Sequence, residues 1–111
     1  MKVLFVCHGN ICRSAMAEYI LKALVKAKGL EELFYVESAA VSTEEIGNPI
    51  YPPAKRCLTQ HGVWFDPGKR ARQVTPSDYD RFDRIICIAA SAQEAKTFNA
   101  LPKKLRKTLN K

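Results

Sequence analysis

Met1-Lys2-Val3-Leu4-Phe5-Val6, running into Cys7-His8-Gly9-Asn10-Ile11-Cys12-Arg13-Ser14, is the stretch that decides the fold. The apolar run predicts a strand over residues 2–7, of the kind buried at the centre of a parallel sheet. A helix starts at Arg13 or Ser14, because Met16, Ala17, Ile20, Leu21, Leu24 and Val25 recur at helical spacing. Gly29 marks its stop. Between strand and helix stand a cysteine, five residues and an arginine, the makings of a site for a phosphoryl dianion. The loop N–H groups can turn inward, and the helix N-terminus adds its positive dipole end. Arg13 supplies a planar, two-pronged donor for two phosphate oxygens. Its place at a helix start is poor for a cation unless an anion joins it. Cys7 then lies at the floor of a positive bowl, an environment that favours a nucleophilic thiolate.

Working outward, Leu33 to Ser38 reads as a second strand, and residues 40–52 as a loop rich in turn residues, with Gly47-Asn48-Pro49 and Pro52-Pro53. A helix is expected from Pro53 to Gln60. Asp66-Pro67-Gly68 reads as a turn, and Thr75-Pro76-Ser77-Asp78 opens a short helix. Arg84 to Ile88 is a third strand. This alternation predicts an α/β fold, a small three-layer doubly wound parallel sheet with helices on both faces. Ligands in such sheets lie at the carboxyl ends of strands, where Cys7 falls. Beyond Ile88, Ser91-x-x-Glu94 resembles a capping box. Ala92, Ala95, Phe98, Leu101, Leu105 and Leu109 fit one helix face, interrupted by Pro102. No fourth strand is legible.

The chain has 111 residues and is expected to form a single domain over 1–111. No apolar run approaches the ~18 residues of a membrane span, and the apolar start is too short for a signal-peptide core. A soluble cytoplasmic protein is expected. The four cysteines show no Cys-x2-Cys spacing, and His8 and His61 complete no zinc pattern, so neither metal nor cofactor is expected. Cys57, Cys87, His61 and Trp64 read as packing residues. The net charge of +7 is uneven. Residues 1–88 carry twelve basic and ten acidic side chains, whereas 89–111 carry six basic residues and only Glu94. That basic tail has Phe98 as its one aromatic, which argues against a nucleic-acid partner; a solvated helix face is the simpler use of its lysines.

Val3-Leu4-Phe5-Val6-Cys7-x-Gly9-Asn10-Ile11-Cys12-Arg13-Ser14, with Ala15-Met16-Ala17-Glu18, resembles the low-molecular-weight protein tyrosine phosphatases. The resemblance continues through Ser38-Ala39-Ala40, Gly47-Asn48-Pro49 and Arg70 to Pro76, and is legible to about residue 88. It implies a phosphomonoester hydrolase in which Cys7 attacks phosphorus, Arg13 clamps the oxygens and the Ser14 hydroxyl donates to the sulfur. His8, Gly9, Ile11 and Cys12 would supply backbone N–H groups to the phosphate-binding loop. Asn10 would shape it through its tolerance of left-handed backbone. Glu44 to Tyr51 falls in the family's substrate wall, making Glu44, Asn48 and Tyr51 candidate contacts. The resemblance further implies a reversible Cys7–Cys12 disulfide and a bracing role for Arg72. Lys69 stands where the family commonly has a histidine.

A phenol leaving group with a pKa near ~10 needs a proton on departure. The family's acid lies in an Asp-Pro loop for which this chain has no counterpart, so the general acid is unassigned; the one Asp-Pro, Asp66-Pro67, reads as a turn. The family's last strand and helix also have no legible counterpart. A partner chain completing the sheet is one account, and a tail of different origin or function is another. Expected ligands are phosphotyrosine proteins or small aryl phosphates, with phosphate-like oxyanions as inhibitors. The alternatives are arsenate reduction on the same scaffold, or a catalytically dead oxyanion or phosphoprotein binder.

Overall fold

The computed structural model describes residues 1–88 and the strand residues 109–110. Strand β1 (Lys2–Cys7) leads into helix α1 (Arg13–Ala27), and a single 3-10 turn at Glu31–Leu33 precedes β2 (Tyr35–Ala40). Then come α2 (Pro52–Gln60), α3 (Pro76–Arg81), β3 (Arg84–Cys87) and the two-residue β4 (Leu109–Asn110). The strands form one parallel sheet in the order β2-β1-β3-β4. The chain moves one way from β1 to β2 and then crosses back over β1 to reach β3. The order therefore reverses between β1 and β3, and at such a switch point the carboxyl ends of neighbouring strands open a crevice. Cys7 is the last residue of β1 and sits at that crevice.

Side chains alternate across the sheet as strand geometry requires. Leu4, Val6, Ala39 and Ile85 form one buried face with Phe82, against which Tyr79 of α3 packs. The opposite face meets α1, whose Ala15 and Tyr19 form a second cluster with Ile50 and with Ala54 of α2. Helix α3 begins as its sequence suggests. Thr75 and Asp78 form a reciprocal capping box, with Pro76 at the first helical position.

Three expectations are corrected. The second strand runs two residues later than the apolar pattern suggested, because Glu31–Leu33 winds into a 3-10 turn closed by the Leu33 N–H on Leu30 O (2.9 Å). The small residues Ser38, Ala39 and Ala40 continue the strand instead, fully buried. The apolar stripe of α1 is also only partly its inner face: Val25 is buried, but other members of the stripe turn outward. Ile20 and Leu24 are 41% and 53% exposed, whereas Ser14, Ala15, Glu18 and Tyr19 are buried. Buried Glu18 is satisfied by Ser38 Oγ and Lys22 Nζ, each at 2.6 Å, with Lys69 Nζ at 3.5 Å. Finally, a fourth strand exists: Leu109 and Asn110 pair with Ile85 and Ile86. Two residues are too short to leave a strand pattern, and Leu109 matched a helical spacing by coincidence. The rest of the expected tail helix, with its Ser91–Glu94 capping box, lies outside the described residues.

An ionic cluster ties α3 to β2. Asp78, fully buried, accepts two hydrogen bonds from the Arg72 guanidinium (3.0 and 3.1 Å), one from Arg81 (3.2 Å) and one from the Thr75 N–H (2.8 Å). Glu37 of β2 shares Arg72 Nη2 with Asp78, accepting from it at 3.2 Å, and accepts from Arg81 at 3.4 Å. Burial alone would push the Asp78 carboxyl up. The Arg72 and Thr75 hydrogen bonds outweigh it and hold the carboxyl below its ordinary range. Such a group stabilises the fold above its unfolded pKa of ~4, and the contribution is lost as pH falls through the lower native value. Asp78→Asn should therefore cost about 3 kcal/mol at neutral pH in urea unfolding. The gap from the parent should close as the solution is acidified below pH ~4. A gap that stays constant with pH would assign the loss to packing and not to charge.

Candidate active site

The loop between β1 and α1 is held from behind by its own carbonyls. Cys7 O accepts from Val41 N (3.0 Å), and His8 O from both Ser42 N (3.0 Å) and Ser42 Oγ (2.9 Å). Ile11 O accepts from Tyr51 N (2.8 Å). With these oxygens tied to the segment after β2, the backbone presents its N–H groups to the other side. Those of Gly9, Ile11 and Cys12 meet no acceptor among the described residues. The first turn of α1 contains no acidic residue, so its positive end faces the same space uncompensated.

Asn10 holds the loop's shape. It is buried and has φ of +60°, the one non-glycine residue with positive φ among those described. Its N–H points at Cys7 Sγ (3.3 Å), and its Nδ2 donates to Ser14 Oγ (2.8 Å). Its Oδ1 accepts from Arg72 N (3.2 Å) and Lys69 Nζ (3.4 Å). The Cys7 thiol donates to Ser14 Oγ (3.1 Å), and the Ser14 hydroxyl in turn donates to Ala39 O (3.5 Å). With Cys7 as a thiolate, the same hydroxyl hydrogen can turn to the sulfur. The Ser14 N–H also approaches the sulfur, at 3.4 Å. Two backbone N–H groups thus face Cys7, with the Ser14 hydroxyl beside it, and the thiol is 2% exposed at the cleft floor.

The cleft encloses about 180 Å³, lined by residues 7–9 and 11–13 with Glu44 and Glu45 on the opposite wall. Arg13 reaches across the switch point, its guanidinium donating to Ile88 O at 3.0 Å. All six predicted loop positions from Cys7 to Cys12, with Arg13 and Ser14, are therefore brought together. Of the predicted wall, Glu44 lines the cleft. Asn48 stands behind it, its Nδ2 on Glu45 Oε1 (2.7 Å), and exposed Tyr51 meets the loop through its backbone.

Arg72 braces the loop with its backbone: its N–H serves Asn10 and its carbonyl accepts from Ala40 N (2.7 Å). Lys69 takes up the position behind Asn10, also reaching Ser38 O (3.4 Å) and Glu18 (3.5 Å). Burial pushes the Lys69 ammonium down, opposed by Glu18. Glu18 and Ser38 stand within the stretches that carry the family resemblance, but nothing in the sequence assigned either a role. Asp66 is spent on its own turn, accepting from Gly68 N (2.8 Å), and does not line the cleft. The four cysteines are free thiols. The packing reading fails for Trp64 and His61: the indole is 70% exposed, touching Tyr19 edge-on at 6.0 Å, and His61 is exposed with its ring on Cys57 O.

A thiol facing two N–H groups and a hydroxyl, a ring of unclaimed amides and a guanidinium at the rim can receive a tetrahedral dianion and place a nucleophile against its central atom. Known proteins share this arrangement of sequence. A family model described as low molecular weight phosphotyrosine protein phosphatase matches residues 2–109, continuing past residue 88. The Bacillus subtilis low molecular weight protein-tyrosine-phosphatase YfkJ is 47% identical over 90 residues, which cover 81% of this chain and 57% of YfkJ. The crystal structure of a Streptococcus pyogenes low molecular weight protein tyrosine phosphatase is similar with a TM-score of 0.82 at 33% identity, covering 97% of this chain and 69% of that one. A Drosophila arginine phosphatase gives 0.78 at 32% identity, over 98% and 69%. The chain spans little more than half the length of the curated relatives it matches. Since the family model takes in almost every residue from β1 to β4, this chain belongs to the low molecular weight phosphotyrosine protein phosphatase family.

Proposed function

We propose that the chain hydrolyses aryl phosphate monoesters, phosphotyrosine in proteins above all, through a cysteinyl-phosphate intermediate. The observation that carries this reading is the convergence of the Asn10 and Ser14 N–H groups on the buried Cys7 sulfur, whose thiol is hydrogen-bonded to the Ser14 hydroxyl, inside a rim of inward-turned amides. Donors fixed around sulfur stabilise negative charge on it. Sγ attacks phosphorus in line, the P–O bond to the leaving oxygen breaks, and the loop amides and Arg13 hold the equatorial oxygens. Water then attacks the phosphocysteine and releases phosphate and thiolate. No step requires a metal. Phosphate-like oxyanions should occupy the same amides and compete. Ile11 on the cleft wall suits an aromatic ring.

Arsenate reduction is less well supported, because it needs a resolving thiol. Cys87 flanks β1 opposite Val6, and burial, reinforced by Cys7, pushes its thiol up to about 12. It would be a poor attacking group at neutral pH. A strand from a partner chain is not part of the proposal, since β4 already pairs with β3. Free thiols at the site suit a reducing compartment, which supports a cytoplasmic location.

Rapid mixing with p-nitrophenyl phosphate should give a burst of nitrophenol equal to the enzyme concentration, followed by turnover. Cys7→Ser should abolish it, and orthovanadate should suppress it competitively. Arsenite formation without any burst would reverse the ranking. Lys69→Met removes a donor from Asn10 and a counter-charge from buried Glu18. It should lower thermal stability by about 2 kcal/mol and weaken vanadate binding roughly tenfold, measured by calorimetry. Unchanged vanadate affinity would show that Lys69 supports the fold and not the loop.

A further inference from the structure

The two walls of the cleft carry opposite charge. One presents the unclaimed N–H groups of Gly9, Ile11 and Cys12 together with Arg13, and these call for a dianion. The other presents Glu44 and Glu45. Both glutamates are held there by the phosphate-binding loop. The Glu45 stem lies on the loop backbone, where a Cβ added at Gly9 would stand 3.2 Å from its Cγ, and its Oε1 takes Asn48 Nδ2 at 2.7 Å. Ser42 donates to His8 O through its N–H and hydroxyl, and the Glu44 N–H approaches its Oγ at 3.4 Å. A carboxylate wall repels a phosphoryl dianion, so a good substrate must offer that wall something else.

The charge on that wall is not spent inside the described part of the protein. His8 is the one basic residue that meets either glutamate among the described residues, its Nε2 3.1 Å from Glu44 Oε2. Nδ1 of the same ring is buried without a hydrogen-bond partner among them. The geometry therefore fits the tautomer with its proton on Nε2, because an N–H at Nδ1 would be buried and unpaired. A neutral imidazole leaves the Glu44 carboxylate its full charge. Glu44 Oε1 and Glu45 Oε2 accept no hydrogen bond among the described residues, and the Glu44 side chain is 68% exposed.

With phosphate in the bowl and the aryl ring against Ile11, the ring offers these carboxylates no charge. A lysine or arginine next to the phosphotyrosine does, since its long stem can bring the cation back along the ring to the mouth. Taking the phosphatase reading above as its basis, we infer that Glu44 and Glu45 determine specificity, selecting phosphotyrosine with a basic neighbour in the peptide chain. The dianion and the flanking cation then meet opposite walls of one cleft. An uncharged or acidic neighbour leaves the carboxylate wall unpaired. These contacts go to parts of the substrate that do not react, so they act on binding and appear in KM.

Two phosphotyrosine peptides of identical composition test this, one with lysines on both sides of the phosphotyrosine and one with the same lysines at its ends. At low ionic strength the first should be hydrolysed with a kcat/KM about five- to tenfold higher. The difference should lie in KM and shrink as salt is added. In the Glu44→Gln/Glu45→Gln double variant the ratio should fall to about one, while kcat/KM for p-nitrophenyl phosphate should rise about twofold as like charge leaves the cleft. A fall on p-nitrophenyl phosphate would assign the glutamates to the shape of the loop and overturn the inference. So would equal rates for the two peptides in the parent, or a preference that survives in the double variant. Faster release from a phosphoarginine peptide than from either would also overturn it, since the wall would then read the reacting group itself. Each of these outcomes leaves Cys7-dependent phosphate release standing. A parent inactive on p-nitrophenyl phosphate and on both peptides overturns the phosphatase reading as well.

Discussion

The site depends on one residue held in a conformation that side-chain-bearing residues avoid. Asn10 sits at φ +60° in the middle of the loop, and every polar group of its side chain is engaged. Its amide nitrogen orients the Ser14 hydroxyl, its amide oxygen accepts from residues 69 and 72, and its N–H faces the sulfur. Glycine would adopt that backbone more readily but would connect nothing. Asparagine tolerates it and joins four segments at once: the strand end, the start of α1, the stretch 69–72 and, through Lys69, β2.

The charged residues around the sheet divide by burial into two systems. On the α1 face Glu18, Lys69 and Ser38 support the loop from below. On the α3 face Asp78, Glu37, Arg72 and Arg81 fasten helix to strand. The stretch 69–72 joins the two systems, sending Lys69 to one side and the Arg72 side chain to the other while its backbone meets Asn10. Arg72 is therefore a brace twice over, its half-buried guanidinium fastening α3 to β2 and its backbone meeting Asn10.

Much of this was legible in the sequence, for identifiable reasons. Residues 1–14 were read correctly because strand burial, loop spacing and helix start all agree locally, and such agreement across levels marks a well-specified segment. The start of α3 at Thr75-Pro76 was equally local. What could not be read depended on distant partners. Glu18 is buried because Ser38, twenty residues later, meets it, and nothing near Glu18 announces that. Ile20 and Leu24 carry the strongest apolar signal in α1 yet face outward, since the loop pulls the small residues Ser14 and Ala15 against the sheet. The pairing of His8 with Glu44 likewise spans 36 positions.

The parts that complete the loop come from residues 38–42, 69–72 and 88, each delivered by a different crossing of the sheet. Each crossing closes a long stretch of chain, and that entropy must be spent before the contacts repay it. The nucleophile's strand and helix are therefore made early in synthesis, while the bowl around Cys7 is finished only when β3 docks and Ile88 offers its carbonyl to Arg13. During that interval Cys7 is an ordinary thiol, without the donors that favour its thiolate. Competence at the site is in this sense a report that folding has finished, since neither the activated sulfur nor the phosphate cradle exists before the last crossing docks.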